Sequence, residues 1–387
     1  MGPLTGYRVL EFASIGPIPL CGMLLADLGA EVIRIDRTGD TDLGVRRDPA
    51  FEYTGRGKRS IAVNLKHAEG VQTLLGLVKQ ADVLIEGFRP GVMERLGLGP
   101  DVCLATQPRL VYGRLTGWGQ QGPLSSAAGH DMNFLAVTGA LDAIGTRGGP
   151  PVAPLNLVGD FAGGSLFLAL GIAAALASPQ DRGRGQVIDA AITDGVSAMM
   201  ASIHGQVEAG TWPTGRGEHL IGGGAPWNAA YETADGLYVT VCPIEQRFFD
   251  ILLDKLEIDP ATMPDRMDRA HWPAWQQRFE AVFRSRTRAA WRDLLEGTDA
   301  CFAPVLSAAE ARAHPQATRR QMFVVHEGKT QPAPAPRFSG TPATLGSPPV
   351  LRAGQHSLEV LQSCEFSAAE IDRLLASGAV VETAAPT

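Results

Sequence analysis

Residues 7–36 read YRVLEFASIGPIPLCGMLLADLGAEVIRID, and this stretch decides the fold. Residues 7–14 form a short apolar strand, 17–29 a helix ending at Gly29, and 31–36 (EVIRID) a second strand. Strand, helix and strand at this spacing make a βαβ unit, which implies a parallel sheet covered by helices. The pattern recurs as strand 60–65, helix 67–80, strand 82–86, helix 91–97 and strand 109–115. Helices at 131–145 and 160–178 follow, then a strand at 186–191 and a long helix from Asp194.

Around 209–229 the composition shifts to a glycine-rich linker. Beyond it, 230–241 reads as a hairpin turning at Ala234-Asp235-Gly236, followed by helices near 245–257, 273–285 and 287–296. Residues 331–349 are too proline-rich for regular structure. A last helix over 367–377 has Ser367 as its cap and Glu370 at the capping-box position. The expected class is α/β, a large domain with an open parallel Rossmann-like sheet plus a smaller α+β domain.

With 387 residues the chain exceeds the usual single-core size, so two domains are the default. A formal charge of −7 argues against general nucleic-acid affinity. Only five of the basic residues are lysines (58, 66, 79, 255 and 329), so arginine does nearly all the cationic work, which suits bidentate phosphate binding. The cysteines at 21, 103, 242, 301 and 364 are odd in number and lack CxxC spacing. They read as reduced thiols in a reducing compartment, with no metal site. The N-terminus has no signal-type apolar run and the chain ends Ala-Ala-Pro-Thr without a peroxisomal signal, so a cytoplasmic protein is expected. Residues 161–177 lack charge, but the run is short for a span, contains Gly163, Gly164 and Gly171, and starts beside Asp160. A buried helix and no membrane are expected.

Two segments carry candidate chemistry: Gly129-His130-Asp131, and Asn156 to Phe161 (NLVGDF) thirty residues on. His130 precedes an apolar-periodic run, which places it at a helix N-terminus where backbone N–H groups favour a developing oxyanion. Imidazole also titrates near physiological pH and can take and give a proton. The bland alternative is a cap histidine. Asp160 opens an apolar helix and reads most simply as its N-cap; turned inward against an apolar wall, its pKa would rise towards usefulness as an acid. Glu245 starts the 245–257 helix and reads alone as a first-turn glutamate. Gly16 and Gly22 follow the first strand and Asp36 ends the second, yet Ile15-Gly16-Pro17-Ile18-Pro19 puts two prolines where a phosphate-binding turn needs free N–H groups. Nicotinamide binding is therefore rejected, and no Walker A, HExxH or GxSxG is present.

Strung in one order, LIEGFRPGVMERLGLGP (84–100), RLTGWGQQGP (114–123), AGHDMNF (128–134), PLNLVGDFAGGS (154–165), GGAPWNAAYETADG (223–236), CPIEQRFF (242–249) and APRFSG (335–340) are highly specific. With the 2–37 segment they make the chain resemble the class III CoA-transferase (CaiB/BaiF) superfamily nearly end to end, most closely its α-methylacyl-CoA racemase branch. The resemblance implies an interlocked homodimer. It divides each chain into a large CoA-binding domain (1–190 plus 335–387), a linker helix with glycine-rich linker (191–224) and a small α+β domain (225–330). It gives catalytic roles to His130, Asp160 and Glu245, the glutamate pairing with the histidine across the dimer. It also implies CoA contacts from Arg37, from Val63, Asn64, Leu65 and Lys66, from Gly87, Phe88 and Arg89, and from Arg95. Gly129, Asp131, Met132, Asn133 and Phe134 would hold the thioester, with the Asp131 N–H as carbonyl donor. In GRGKRS (55–60) relatives often have an asparagine before the basic pair, which leaves the phosphate contacts of Lys58 and Arg59 open.

The implied reaction is racemisation at the α-carbon of a 2-methylacyl-CoA by cofactor-independent two-base proton transfer, CoA being part of the substrate. Two readings compete. In a CoA transferase of the same superfamily Asp160 would instead be a nucleophile, with a glycine loop near Gly222–Gly224 over the site. A non-catalytic acyl-CoA-binding homologue would keep the binding residues and turn nothing over.

Overall fold

The computed structural model describes residues 2–39, 47–178, 184–213 and 215–383, so Thr214 of the linker and the last four residues lie outside it. Its strands, in chain order, are β1 (Arg8–Phe12), β2 (Glu31–Asp36), β3 (Lys58–Val63), β4 (Val83–Glu86), β5 (Val111–Thr116) and β6 (Gln186–Ala191), then β7 (Ala229–Glu232), β8 (Tyr238–Val241), β9 (Phe302–Pro304), β10 (Phe323–His326), β11 (Lys329–Pro332) and β12 (Val380–Val381). The chain forms two compact units. The first comprises 1–138, 155–199 and 323–387, the second 139–154 and 200–322. Segments 139–154 and 323–330 thus fall on opposite sides from the expected division.

In the first unit a seven-stranded sheet runs β12-β3-β2-β1-β4-β5-β6. β1 to β6 pair in parallel, as the βαβ pattern requires, with Val9 opposite both Val32 and Val83. One correction is at the edge, where β12 pairs antiparallel with β3 through Val380 and Val63. Two residues are too few to show a strand period, so the sequence carried no signal for it. The core is built from Leu10, Phe12, Ile33, Ile61, Leu84 and Tyr112 of the strands, with Leu74 and Leu77 of the Ala68–Val78 helix and Ile371 and Leu374 of the Ala368–Ala376 helix. That last helix has the expected Ser367–Glu370 capping box.

Strand order reverses between β1 and β4, because β2 and β3 lie on one side and β5 and β6 on the other. In open α/β sheets, ligands bind in the crevice beyond the carboxyl ends of the strands at such a switch point. The loop leaving β1 there is anchored from below. Lys58, fully buried on β3, donates to both Glu11 carboxylate oxygens at 2.8 and 2.6 Å and to the Pro19 carbonyl at 2.9 Å. Gly22 leaves the room, since a Cβ there would overlap Glu11 Oε2. Lys58 is thus enclosed and paired within the core, and Arg59 is engaged by Glu31 and Ser363.

Several helices are shorter than expected. The 131–145 segment breaks into Asp131–Val137 and Ala140–Ala143 at Gly139, whose φ of 80° is left-handed. The helix from Asp194 divides into Ile192–Met199 and Ala201–Glu208, and 91–97 keeps one turn, Val92–Arg95. A helix over Pro100–Thr106, begun by a proline, had no long apolar period to reveal it.

The apolar 160–178 helix is corrected in both length and burial. It starts three residues earlier, as a π-helix over Leu157–Leu166 that continues as an α-helix over Phe167–Ala177. These 21 residues are long and apolar enough to cross a membrane, with mean hydropathy 1.7. One face packs on the sheet through buried Leu168 and Ile172, whereas Leu157, Leu166 and Leu170 are exposed. Glycines set the close approaches: a Cβ on Gly163 would strike Val196, and one on Gly164 would crowd Ile192 and Pro17.

The second unit holds the three-stranded antiparallel sheet β7-β8-β9, with the expected hairpin closed by Gly236 at φ 71°. Helices Gln246–Lys255, Trp272–Phe283 and Arg288–Leu295 pack an aromatic core of Trp227, Tyr231, Phe249, Trp275, Phe279 and Trp291.

Replacing one partner of a buried ion pair leaves the other charged and uncompensated. Lys58→Met is expected to lower stability by about 3–5 kcal/mol in urea unfolding, and the double variant Glu11→Leu/Lys58→Met to recover most of that loss.

Candidate active site

A cavity of about 700 Å³ opens at the switch point. Its wall is residues 13–19 after β1, Arg37 after β2, 87–90 after β4 and 115–118 at the end of β5, completed by 127–130, Phe134, Asn156, Asp160 and Phe161. Of the residues expected to bind or react, Arg37, Gly87, Phe88, Arg89, Gly129, His130, Phe134 and Asp160 therefore come together.

The other expected residues do not line this cavity. Val63 is buried in β3, Asn64 and Leu65 are half-buried beyond its end, and Lys66 and Arg95 are exposed. Asp131, Met132 and Asn133 belong to the Asp131–Val137 helix behind His130. Glu245 lies in the second unit, at the N-cap of the Gln246–Lys255 helix and not in its first turn, and its side chain makes no capping bond.

Buried carboxylates hold the turns in place. Glu86, fully buried, accepts from the Phe88 N–H at 2.7 Å and from Arg114 Nε at 2.8 Å, which fixes the Gly87–Arg89 turn against the cavity. Phe88 meets Phe12 edge-on at 5.8 Å. A Cβ on Gly87 would fall 2.8 Å from Ile18. Arg37, Arg47 and Arg89 give the cavity cationic groups that suit phosphate, Arg47 being paired with Glu52 at 3.3 Å. Arg47 and the 13–19 loop were missed as site residues. The Gly-Pro-Ile-Pro run marks an unusual turn, but in sequence it speaks only against a dinucleotide site.

On the same cavity, His130 caps the Asp131–Val137 helix with extended backbone, its N–H donating to Asn133 Oδ1 at 3.0 Å. The residue is exposed. Trp118 and Phe134, edge to face at 4.8 Å, form an apolar wall beside it. Gly129 and Gly117 are small because Phe134 occupies the space their Cβ atoms would need.

Asp160 is not an N-cap. The cap position is Asn156, and Asp160 sits inside the first turn of the π-helix, a distortion that recurs at functional sites. Burial pushes its carboxyl up, the Asp131 charge pushes further, and His130 and a hydrogen bond from Asn156 only partly oppose them, leaving it at about 6. A Cβ on Gly16, itself left-handed at φ 70°, would lie 3.2 Å from Asp160 Oδ2. Ser165 binds the π-helix to the β1 loop by donating to the Pro17 carbonyl at 2.6 Å. The arrangement offers two acid–base groups with different ordinary pKa values around one cavity, one beside an apolar wall and one on a helix that packs on the sheet.

The model of CoA-transferase family III matches residues 4–357, and the chain belongs to that family. It is 42% identical to the α-methylacyl-CoA racemase of Mus musculus and 41% to that of Homo sapiens, each alignment covering 96% of both chains. Among solved structures it is similar to a CAIB/BAIF family protein from Brucella suis, at 25% identity and a TM-score of 0.79, covering 94% of this chain and 100% of that one.

A raised carboxyl pKa has a sign in stability. Asp160, at about 6 when folded against an ordinary 3.8, contributes most below pH 3.8 and loses that contribution as pH rises through 6. Asp160→Asn is therefore expected to stabilise the fold at pH 7.5, on the order of 1–2 kcal/mol after allowing for solvent screening. The gain should shrink as pH falls from 6 towards 4 in thermal unfolding.

Proposed function

We propose that the protein interconverts the two configurations at the α-carbon of 2-methylacyl-CoA thioesters, by proton abstraction and return through an enolate. The observation that carries this is the pairing of His130 with an Asp160 raised to about 6 around one cavity. Inversion needs a base on one face of the carbon and an acid on the other; a single base would return the proton to the face it left. His130 serves one enantiomer and Asp160 the other, their roles exchanging with direction. A carboxyl near neutrality fits acid–base work in both directions. A nucleophile forming an anhydride, as in the CoA-transferase reading, would need the ionised form that burial disfavours.

If base and α-carbon differ by about ten pKa units, proton transfer alone costs about 14 kcal/mol. Backbone N–H groups at the start of the Asp131–Val137 helix, that of Asp131 first, would take the thioester oxygen as it gains charge. Trp118 and Phe134 keep water from the carbon. Arg37 and Arg89 meet the phosphates of CoA, and Gly87 and Phe88 the pantetheine. Residues 63–66 and Arg95, outside the cavity wall, are at most peripheral contacts to the nucleotide end. No cofactor takes part, since the thioester already acidifies the α-proton.

A homodimer completes the site in this reading, with Glu245 of one protomer tuning the histidine of the other. Exposed apolar side chains support it: Leu157, Leu166 and Leu170 on the long helix, Val187 on edge strand β6 and Met199. A second copy covering this face also accounts for the half-exposed apolar helix without a membrane. The unpaired cysteines accord with a reducing compartment such as the cytoplasm.

With (S)-2-methylacyl-CoA in D₂O and no acceptor acid, deuterium at C2 and (R) product are expected. His130→Ala and Asp160→Asn should each slow racemisation by about 100-fold or more. Transfer of CoA to added carboxylates without C2 exchange would replace this reading by the transferase one.

A further inference from the structure

Asp131 follows His130 directly, yet its side chain points away from the cavity wall and into the π-helix that carries Asp160. Asp131 Oδ1 accepts the Asp160 N–H at 2.7 Å, and the same carboxylate accepts from the Gly159 N–H. Gly159 is required there, because a Cβ would sit 2.3 Å from Asp131 Oδ1. Asp131 Oδ2 is buried and has no hydrogen-bond partner among the described residues. A carboxylate with one oxygen held by a backbone donor and the other stranded is costly unless the arrangement serves something.

We propose that the Asp131 side chain is the positioning residue that fixes the two acid–base groups relative to one another, His130 through the chain and Asp160 through its backbone N–H. This rests on the racemase reading. The helix start at residue 131 and the π-helical turn at 157–160 belong to separate segments, and this carboxylate binds one to the other. Its negative charge has a second consequence. Charged groups also stand on the other elements packed against the π-helix: Asp27 on the Pro17–Asp27 helix, Arg114 on β5, Asp189 on β6 and Asp194 on the Ile192–Met199 helix. Among the described residues only Asp131 and His130 act on Asp160 by charge, the first raising its pKa and the second lowering it. Asp131 thus adds to the burial that lets Asp160 hold a proton near neutral pH.

The test compares wild type, Asp131→Asn and Asp131→Ala in α-proton exchange and racemisation of each enantiomer across pH. Asp131→Asn keeps an acceptor for the two N–H groups and removes the charge. It is expected to retain KM and move the Asp160-dependent limbs of the kcat profile to lower pH by about half a unit or more. Asp131→Ala removes both and is expected to lose about 100-fold in kcat with little change in KM, the cost of a small misplacement of reacting groups. If the alanine variant does not fold, the asparagine variant alone decides through its pH profile. Wild-type exchange with a folded Asp131→Ala enzyme unchanged in kcat, or with an Asp131→Asn enzyme unchanged in pH profile, overturns this inference alone. A wild type that neither exchanges nor racemises overturns the racemase reading and this one with it.

Discussion

The ammonium of Lys58, fully buried and shared between the Glu11 carboxylate and the Pro19 carbonyl, is the contact on which the rest of the first unit depends. It joins β3 to β1 across β2 and fastens the loop that turns from β1 into the Pro17–Asp27 helix. Desolvation raises the Glu11 pKa and lowers that of Lys58, so each is tolerable only in the presence of the other. What the pair secures is geometry. The anchored loop brings Gly16 against Asp160 and the Pro17 carbonyl to Ser165, so one wall of the cavity is set from within the core.

From that wall outward, the site follows a single logic of carboxylates holding backbone. Glu86 fixes the turn after β4, and Asp131 fixes the first turn of the π-helix. Each accepts main-chain N–H groups that no regular element would satisfy, at places where the chain must leave regular structure to present a side chain. The strand switch point supplies the crevice, and the carboxylates keep its irregular rim rigid. A rim held this way suits proton transfer, where base, carbon and acid must be aligned before the enolate forms.

Much of this was legible in the sequence, and what was not has physical causes. The six parallel strands, the β7–β8 hairpin and the Ser367 cap were readable because each depends on local period or turn chemistry. The antiparallel edge strand β12 and the π-helical start at Leu157 were not, since the first is two residues long and the second is imposed by contacts with Asp131, Pro17 and Ile192. The partial exposure of the long apolar helix also escaped, because apolar composition does not say whether the covering surface comes from the same chain. His130 and Asp160 were found as motif residues, and the cavity does bring them together. The side-chain role of Asp131 was hidden because, in sequence, it is only the residue after the histidine.

The most direct test of two-base proton transfer is to start from one pure enantiomer in D₂O and follow the circular dichroism of the acyl-CoA to equilibrium. Two bases on opposite faces deliver solvent deuterium to the product, whose return is slowed by the heavier isotope. The signal should then pass through zero to the opposite sign before settling. A monotonic decay to zero, with deuterium entering recovered substrate as fast as product, would mean that one group serves both faces and would contradict the pairing of His130 with Asp160.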